Sequence, residues 1–506
     1  MRKFYAIALT AGVLFFAGCS RDDDQPMSEP QSEILQSDPL SAQQINRIID
    51  DHIQNHGSFD WRNTNVHQLW SASVHGDNIL SIGFGSTTND YNRATSQKHT
   101  VIQQEILDII MRYEEKSQED ILISADEFLT TVDVVVTKQE TVAALRKYDN
   151  IRYIEPGNYK YFSVRSSMQR SSDSSSSGGS GCGFESSALS SADYTTITPN
   201  AKAGWTLYQH NIPAAWNIST GRNVTIGIID TGISPQQTLL GSNFNDGHST
   251  GRTIQKYGTY VDSIWPWSTS TDGPADQCGH GTSMAAAAAA PRNDNGLPVG
   301  VAYNANLVTY RAASNVVLDG LHEQNGVKNA LTALGNNSSV KIISMSMGHI
   351  FSVGKISDGI KYAYGKGKLI FCAGGTSTSF TNFVGVIFPA SMAETVAVTG
   401  IKEGAGYQVC DECHSGGKIE FTVIMQRAAS GNKSPVLSYY DNQSDYVGGS
   451  SVATATTAGI AALVWSKYPS WTRAQVLARM RQSGSFYPNK NSSFGYGNIN
   501  ALTAVQ

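Results

Sequence analysis

The sequence predicts an α/β architecture, a parallel sheet covered by helices on both faces, preceded by a small α+β unit. Three observations carry that expectation. Over residues 185–506, apolar strand-like runs alternate with helical stretches, the pattern that builds a parallel sheet between two helical layers. Over residues 41–165, amphipathic helices mix with β-branched runs. Between the two, Ser166 to Gly181 is dominated by Ser and Gly, which cannot bury enough apolar surface to fold.

The chain opens with Arg2 and Lys3, an apolar stretch from Phe4 to Ala17, then Gly18 and Cys19. A basic start and a short apolar core read as a signal peptide over residues 1–18, too short to be a spanning helix. Phe16-Ala17-Gly18-Cys19 resembles a bacterial lipobox. That resemblance implies a lipid on Cys19 and an exported protein anchored to a membrane, at the outer membrane or cell surface; a soluble secreted form is the alternative. Ser20-Arg21-Asp22-Asp23-Asp24 reads either as a surface-sorting tag or as a solvated charge run. Residues 19–40 are polar and form a tether.

In the α+β unit, Ser41 and Gln44 make a capping-box pattern ahead of Ile45, Ile48, Ile49 and Ile53 at helical spacing. Strands are expected at Asn78–Gly85, Thr130–Val136 and Ile151–Ile154, and a second helix at Thr100–Tyr113. Thr137 and Glu140 make another capping-box pattern, opening a short helix that closes at Lys147. The linker spans residues 166–184. Beyond it, strands are expected at Asn223–Asp230, Val340–Met345, Lys368–Ala373 and Glu394–Thr399. Helices are expected at Ser283–Ala290, Val327–Leu334 and Val452–Tyr468. Active sites of such sheets form at the carboxyl ends of the strands.

Charged residues make up 16% of the 506 and there are 47 glycines, against averages of about 25% charged and about 7% Gly. This suits a loop-rich exported enzyme. A formal net charge of −5 without clustered Lys and Arg excludes a nucleic-acid partner. Five cysteines follow Cys19, so at least one thiol is free or paired with another chain. Cys372, inside Leu369-Ile370-Phe371-Cys372-Ala373, reads as a buried small hydrophobe. Cys410-Asp411-Glu412-Cys413-His414 matches the haem-attachment pattern, but a local disulfide stapling a loop is the better reading.

Three segments carry chemistry. Ile228-Ile229-Asp230-Thr231-Gly232 places a carboxylate where an apolar strand stops. Gly279-His280-Gly281-Thr282 sets a histidine between glycines ahead of a helix. Gly448-Gly449-Ser450-Ser451-Val452 sets a serine at the mouth of another. Singly these read as a turn former, a loop residue and a helix cap. Together they supply a nucleophile, the imidazole that takes its proton, and the carboxylate that fixes the imidazole's tautomer.

The order Asp, His, Ser is that of subtilisins, and the resemblance goes further. Asn223–Gly232, His280–Ala285, Gly300-Val301-Ala302, Ser344–Gly348, Phe388-Pro389-Ala390 and Gly449–Leu463 look like the blocks of the subtilisin-like serine peptidases, in that family's order. The resemblance implies an endopeptidase with the triad Asp230, His280 and Ser451, acting on proteins or peptides. It implies that Ser346, Met347, Gly348, Ala373 and Gly374 hold an extended substrate. Residues 142–156 resemble the end of a subtilisin propeptide, which implies a self-processed proenzyme whose own propeptide is a partner. No cofactor is expected; calcium sites are common in the family, and no ligand cluster is assignable. The chain departs from the family pattern at Ser450 and Ala455, where Thr and Pro are usual. It also has Gly375 where an Asn usually donates to the oxyanion beside Ser451. That departure keeps a second reading open, a catalytically silent surface binding protein on the same scaffold. An aspartic protease would need a second Asp-Thr-Gly or Asp-Ser-Gly, which is absent. A serine esterase would need the final Gly of Gly-x-Ser-x-Gly, where this chain has Ala453.

Overall fold

The computed structural model describes residues 38–93, 97–161, 182–375, 385–404 and 406–506. The signal peptide, Cys19, most of the tether and the Ser/Gly run therefore lie outside the described residues.

The upstream unit begins with α1 (Ala42–His56), opened by the reciprocal Ser41/Gln44 capping box. It continues with α2 (Val66–Val74), β1 (Ile79–Phe84), α3 (Gln97–Glu114), β2 (Leu122–Ala125), β3 (Thr131–Val135), α4 (Gln139–Leu145) and β4 (Ile151–Pro156). The strands form an antiparallel sheet in the order β2-β3-β1-β4. The expected capping box at Thr137 and Glu140 does not form. Lys138 is the N-cap of α4 and contributes no side-chain bond. The reason is Glu114, at the end of α3. Its carboxylate accepts from the Thr137 amide and hydroxyl, the Lys138 amide and the Thr141 hydroxyl. A tertiary carboxylate satisfies the orphan amides that a local cap would otherwise serve.

The larger unit carries β5 (Thr225–Asp230), β6 (Ile254–Gly258), α5 (His280–Ala289), β7 (Asn306–Arg311), α6 (Leu321–Asn336), β8 (Val340–Met345), α7 (Gly354–Gly365), β9 (Leu369–Ala373), β10 (Thr395–Lys402), β11 (Ile419–Gln426), α8 (Gly449–Lys467) and α9 (Arg473–Gln482). Its seven strands run parallel in the order β11-β10-β9-β8-β5-β7-β6. The expected α/β sheet is present. Helices α3 and α6 start earlier than expected, at Gln97 and Leu321, and so do α5 at His280 and α8 at Gly449, so both chemical side chains sit inside first turns. β5 is buried along its whole length, as a central parallel strand must be. α8 is buried from Gly449 to Trp465 and is therefore apolar all round rather than on one stripe. Strand order reverses between β5 and β8, and a crevice opens at the carboxyl ends on either side of such a reversal. Asp230 ends β5, and Ser346 follows β8.

The two units meet along α6 and α7. Arg152 makes two bonds to Asp358 (2.9 and 2.6 Å), Lys355 pairs with Asp133 (2.6 Å), and Lys328 with Asp126 (2.5 Å). Burial opposes ionisation of Asp133, but the charges of Lys355 and Lys328 hold its pKa down to about 2. Glu155 behaves differently. It accepts from the first amide of α7, Gly354 N (2.7 Å), yet burial outweighs that bond and pushes its pKa up to about 8. A carboxyl raised in the docked state stabilises that state fully below its ordinary pKa and ceases to do so as pH rises through the raised value. In full-length Ser451→Ala protein the melting temperature is expected to fall as pH rises from about 5 to about 9. Glu155→Gln is expected to shrink that fall; equal falls in both proteins would exclude Glu155 as the titrating group.

Candidate active site

β5 delivers Asp230 to the sheet edge, where the carboxylate is almost wholly buried. Its Oδ1 accepts from His280 Nδ1 (2.7 Å) and from the Thr231 amide (2.8 Å), while Oδ2 is buried without a partner. The approach of the two segments requires glycine at 281. A Cβ there would lie 2.4 Å from the Gly232 carbonyl oxygen. Burial lowers the His280 pKa, but the Asp230 charge and the shared hydrogen bond outweigh it, so the ring's pKa stands above its ordinary 6.5.

The turn that presents His280 is shaped by Asp276, a residue the sequence reading passed over. Its carboxylate accepts from the Thr231 hydroxyl, the Cys278 and Gly279 amides, and the Thr282 amide and hydroxyl, all at 2.6–3.0 Å. The available signal was an Asp two residues before Cys278 in a segment bounded by Pro274 and Gly279, an Asx-turn pattern. Cys278 is bonded to Cys182, 96 residues away, and Gly183 donates to the Cys278 carbonyl (2.9 Å). The last residues of the expected linker are thus fastened beside the histidine. Cys410 and Cys413 form the expected local disulfide, and Cys372 is the buried free thiol.

Ser451 lies in the first turn of α8, 9% exposed. Ser346, just past β8, donates its hydroxyl to the Ser451 carbonyl (3.1 Å), tying the serine turn to the sheet edge. No hydrogen bond joins the Ser451 hydroxyl to His280. Catalytic hydrogen bonds are often long before substrate binds.

The expected substrate segment is only partly open. The Gly348 amide donates to Val316 O (3.0 Å) and its carbonyl accepts from Leu318 N (3.2 Å), so residues 316–318 occupy that edge. The Gly374 amide donates to Val398 O and its carbonyl accepts from Ile387 N. An extended substrate held at Gly348 has to displace the 316–318 segment.

Gly375 has φ +130°, a conformation that side-chain-bearing residues rarely adopt. Its amide donates to Ser450 Oγ (3.2 Å), and its carbonyl accepts from the His414 amide (3.1 Å). A Cβ at 375 would lie 2.4 Å from His414 Nδ1. That nitrogen donates to the Gly385 carbonyl (2.9 Å), so the imidazole stands where a side chain from 375 would go. Thr376 and Ser377, candidate replacement donors, lie outside the described residues. Among the described residues no group of three or more His, Cys, Asp or Glu is placed to hold a metal ion, and no helix is long and apolar enough to cross a membrane.

Residues 221–497 match the family described as the subtilase family of peptidases. The chain belongs to the subtilase family. It is a serine endopeptidase of the subtilisin type. A subtilisin of Bacillus sp. (strain TA39) is 23% identical over 303 residues, which cover 57% of this chain and 67% of that protein. Subtilisin DY of Bacillus licheniformis is 27% identical over 295 residues, 56% of this chain and 92% of that one. Among solved structures, fervidolysin from Fervidobacterium pennivorans, described as a keratinolytic enzyme related to subtilisin, superposes with a TM-score of 0.58 at 15% identity. That match covers 85% of this chain and 61% of fervidolysin, more of this subtilase than residues 182–506 alone account for.

The His414 contact gives a direct prediction. Gly375→Asn is expected to lower the melting temperature and to leave peptidase activity no higher, because the new side chain collides with the imidazole. Paired with His414→Gly, the same substitution is expected to recover only part of its stability, because φ +130° still strains an Asn at 375. A stable and more active single variant would refute the account.

Proposed function

We propose that Asp230, His280 and Ser451 form the catalytic triad of this endopeptidase, and that residues 41–165 act as a self-removed propeptide. The observation that carries the first part is the buried Asp230–His280 hydrogen bond at the carboxyl edge of the sheet. The serine turn is tied to the same edge through Ser346.

In this reading Asp230 accepts from Nδ1, which fixes the tautomer and leaves Nε2 as the base. The Ser451 hydroxyl passes its proton to Nε2 while its oxygen attacks the substrate carbonyl carbon. The carbonyl oxygen takes up negative charge and is met by the Ser451 amide. Collapse breaks the C–N bond, and the imidazolium returns its proton to the departing amine. Water, deprotonated in the same way, then releases the acyl group as a carboxylic acid. Without an Asn at 375, one donor to that oxyanion is missing. The expected cost is about 2.7–4 kcal/mol, or roughly 10²–10³ in turnover, the magnitude found for a subtilisin deprived of that donor. A slow endopeptidase results.

For the second part, the docking of β4 on α7 and the closeness of Tyr161, the last described residue of the unit, to His349 support the reading. A cut upstream of Cys182 leaves the new N-terminus bonded to Cys278, beside His280. The lipid on Cys19 stays on the propeptide side, so maturation frees the peptidase from the membrane unless the propeptide remains bound.

Two outcomes test the proposal. Expressed from Ser20 onward, the chain is expected to be cut within residues 166–184, as mapped by intact mass, and Ser451→Ala is expected to remain whole. Cleavage in both proteins would assign the cut to another protease. The raised His280 pKa places the acid limb of kcat/KM above pH 6.5, since the base works only when neutral. Asp230→Asn is expected to move that limb downward and to lower kcat by about 10⁴-fold.

A further inference from the structure

Residues 259–275, the larger part of the connection from β6 to His280, carry Ile264-Trp265-Pro266-Trp267 at their tip. Ile264 is 87% exposed, Trp265 68% and Trp267 49%. Three large apolar side chains displayed together on a folded surface mark a site of interaction, because exposing them to water is unfavourable.

The base of this loop is not loose. Thr259 and Tyr260 donate their amides to Arg311 O (2.9 and 3.0 Å). The Arg311 side chain, itself buried, pairs with Asp272 (2.6 Å) and donates to Ala275 O (3.1 Å). Ala275 bridges to Ile233, and Asp276 follows. At the tip, His322 on α6 donates Nε2–H to the Trp265 carbonyl (3.1 Å). Pro266 restricts the backbone between the two indoles. The aromatic tip is therefore held out from a rigid base.

Its position is specific. In the sheet register Asp230 faces Arg311, and Arg311 faces Gly258, the residue from which the loop departs. Strands lie about 4.8 Å apart, so the loop leaves the sheet roughly 10 Å from Asp230, on the same edge. On its other side, His322 lies in the first turn of α6, a few residues beyond Val317, which bridges to Gly348 of the expected substrate segment. The tip stands on the flank of the cleft.

We propose that Ile264, Trp265 and Trp267 form an exosite that binds apolar stretches of an unfolded polypeptide substrate, outside the catalytic cleft. The proposal rests on the endopeptidase reading of that cleft. Charge selects this occupant over an anionic lipid surface. Residues 259–275 contain no Lys or Arg and two Asp, at 262 and 272, whereas attachment to anionic lipid relies on basic residues near the surface. Tryptophans are the side chains most enriched among those that dominate protein–protein binding energy.

The test separates binding from catalysis. In full-length Ser451→Ala protein, which cannot turn over, Trp265→Ala/Trp267→Ala is expected to weaken the Kd for fluorescein-labelled β-casein about tenfold, the order expected when hot-spot tryptophans are truncated. Trp265→Phe/Trp267→Phe is expected to retain most of the affinity. In the active enzyme, the Ala pair is expected to raise KM for β-casein while leaving kcat/KM for a tetrapeptide amide, too short to reach the loop, unchanged. Unaltered β-casein affinity in the Ala pair overturns the exosite. So does an equal loss on both substrates, which would make the loop a support for the cleft. Trp-dependent binding to phosphatidylcholine vesicles without any change in β-casein affinity would assign the tip to lipid instead. Failure of the unsubstituted enzyme to hydrolyse the tetrapeptide would count against the endopeptidase reading, and the β-casein binding measurement would still decide the exosite.

Discussion

The arrangement at the sheet edge depends on one buried carboxylate that the chemistry never touches. Asp276 accepts five hydrogen bonds, one from the residue after Asp230 and four from the turn around His280. A buried charge is costly unless it is fully hydrogen-bonded, and hydrogen bonds to a charged group contribute about 1.5–3 kcal/mol each. Asp276 thereby converts two unrelated loops into one rigid object. The Thr231 hydroxyl has a double role, donating to Asp276 and accepting from the Gly281 amide (2.8 Å). Asp230 and His280 meet because this clamp has already fixed where their backbones can go.

The same logic explains Gly375. In most of the family an Asn at this place aims a donor at the oxyanion, yet this chain fills the space with the His414 ring. The ring is set by the Gly385 carbonyl on one side and by the Cys410–Cys413 loop on the other. Burial lowers the His414 pKa, only partly offset by the bond to Gly385, so near neutral pH the ring is uncharged. With Nδ1–H spent on that carbonyl, Nε2 presents a lone pair and cannot serve as a substitute donor. In this chain the His414 ring occupies the space that a side chain at 375 would need.

What was legible in the sequence follows a physical division. Signals confined to neighbouring residues read well: the Ser41/Gln44 cap, the buried runs of β5, β8 and β9, and the Cys410–Cys413 staple. Asp230, His280 and Ser451 could be named as candidates because each sits at a local junction of strand, turn or helix. Signals settled by distant partners did not read. Thr137 and Glu140 have the letters of a capping box, but Glu114 wins the same amides from 23 residues away. Cys182 carries no local mark of its bond to Cys278. β6, β7 and β11 escaped notice because their polar residues interrupt the apolar runs; Arg311 in β7, for instance, is buried through its pairing with Asp272.

Docking of the upstream unit adds a last constraint. Asp133, Asp126 and Asp358 each meet a cation from the other unit or offer one a partner, so three of the contacts with α6 and α7 are charge pairs. A buried pair holds firmly while intact, and removal of one partner leaves an uncompensated charge worth about 3–5 kcal/mol. Such an interface is specific without being permanently adhesive, because its gain over water is small once both surfaces can be hydrated separately. Glu155 makes the balance finer still: burial outweighs its bond to the Gly354 amide and drives it toward neutrality, as burial also raises the pKa of Asp358 despite its bonds to Arg152. Contacts of this kind respond to pH and ionic conditions, whereas the attraction of an apolar face for its site would not diminish with them. The charge pairs set the register of the unit on α6 and α7, and Glu155 sets how firmly it stays there.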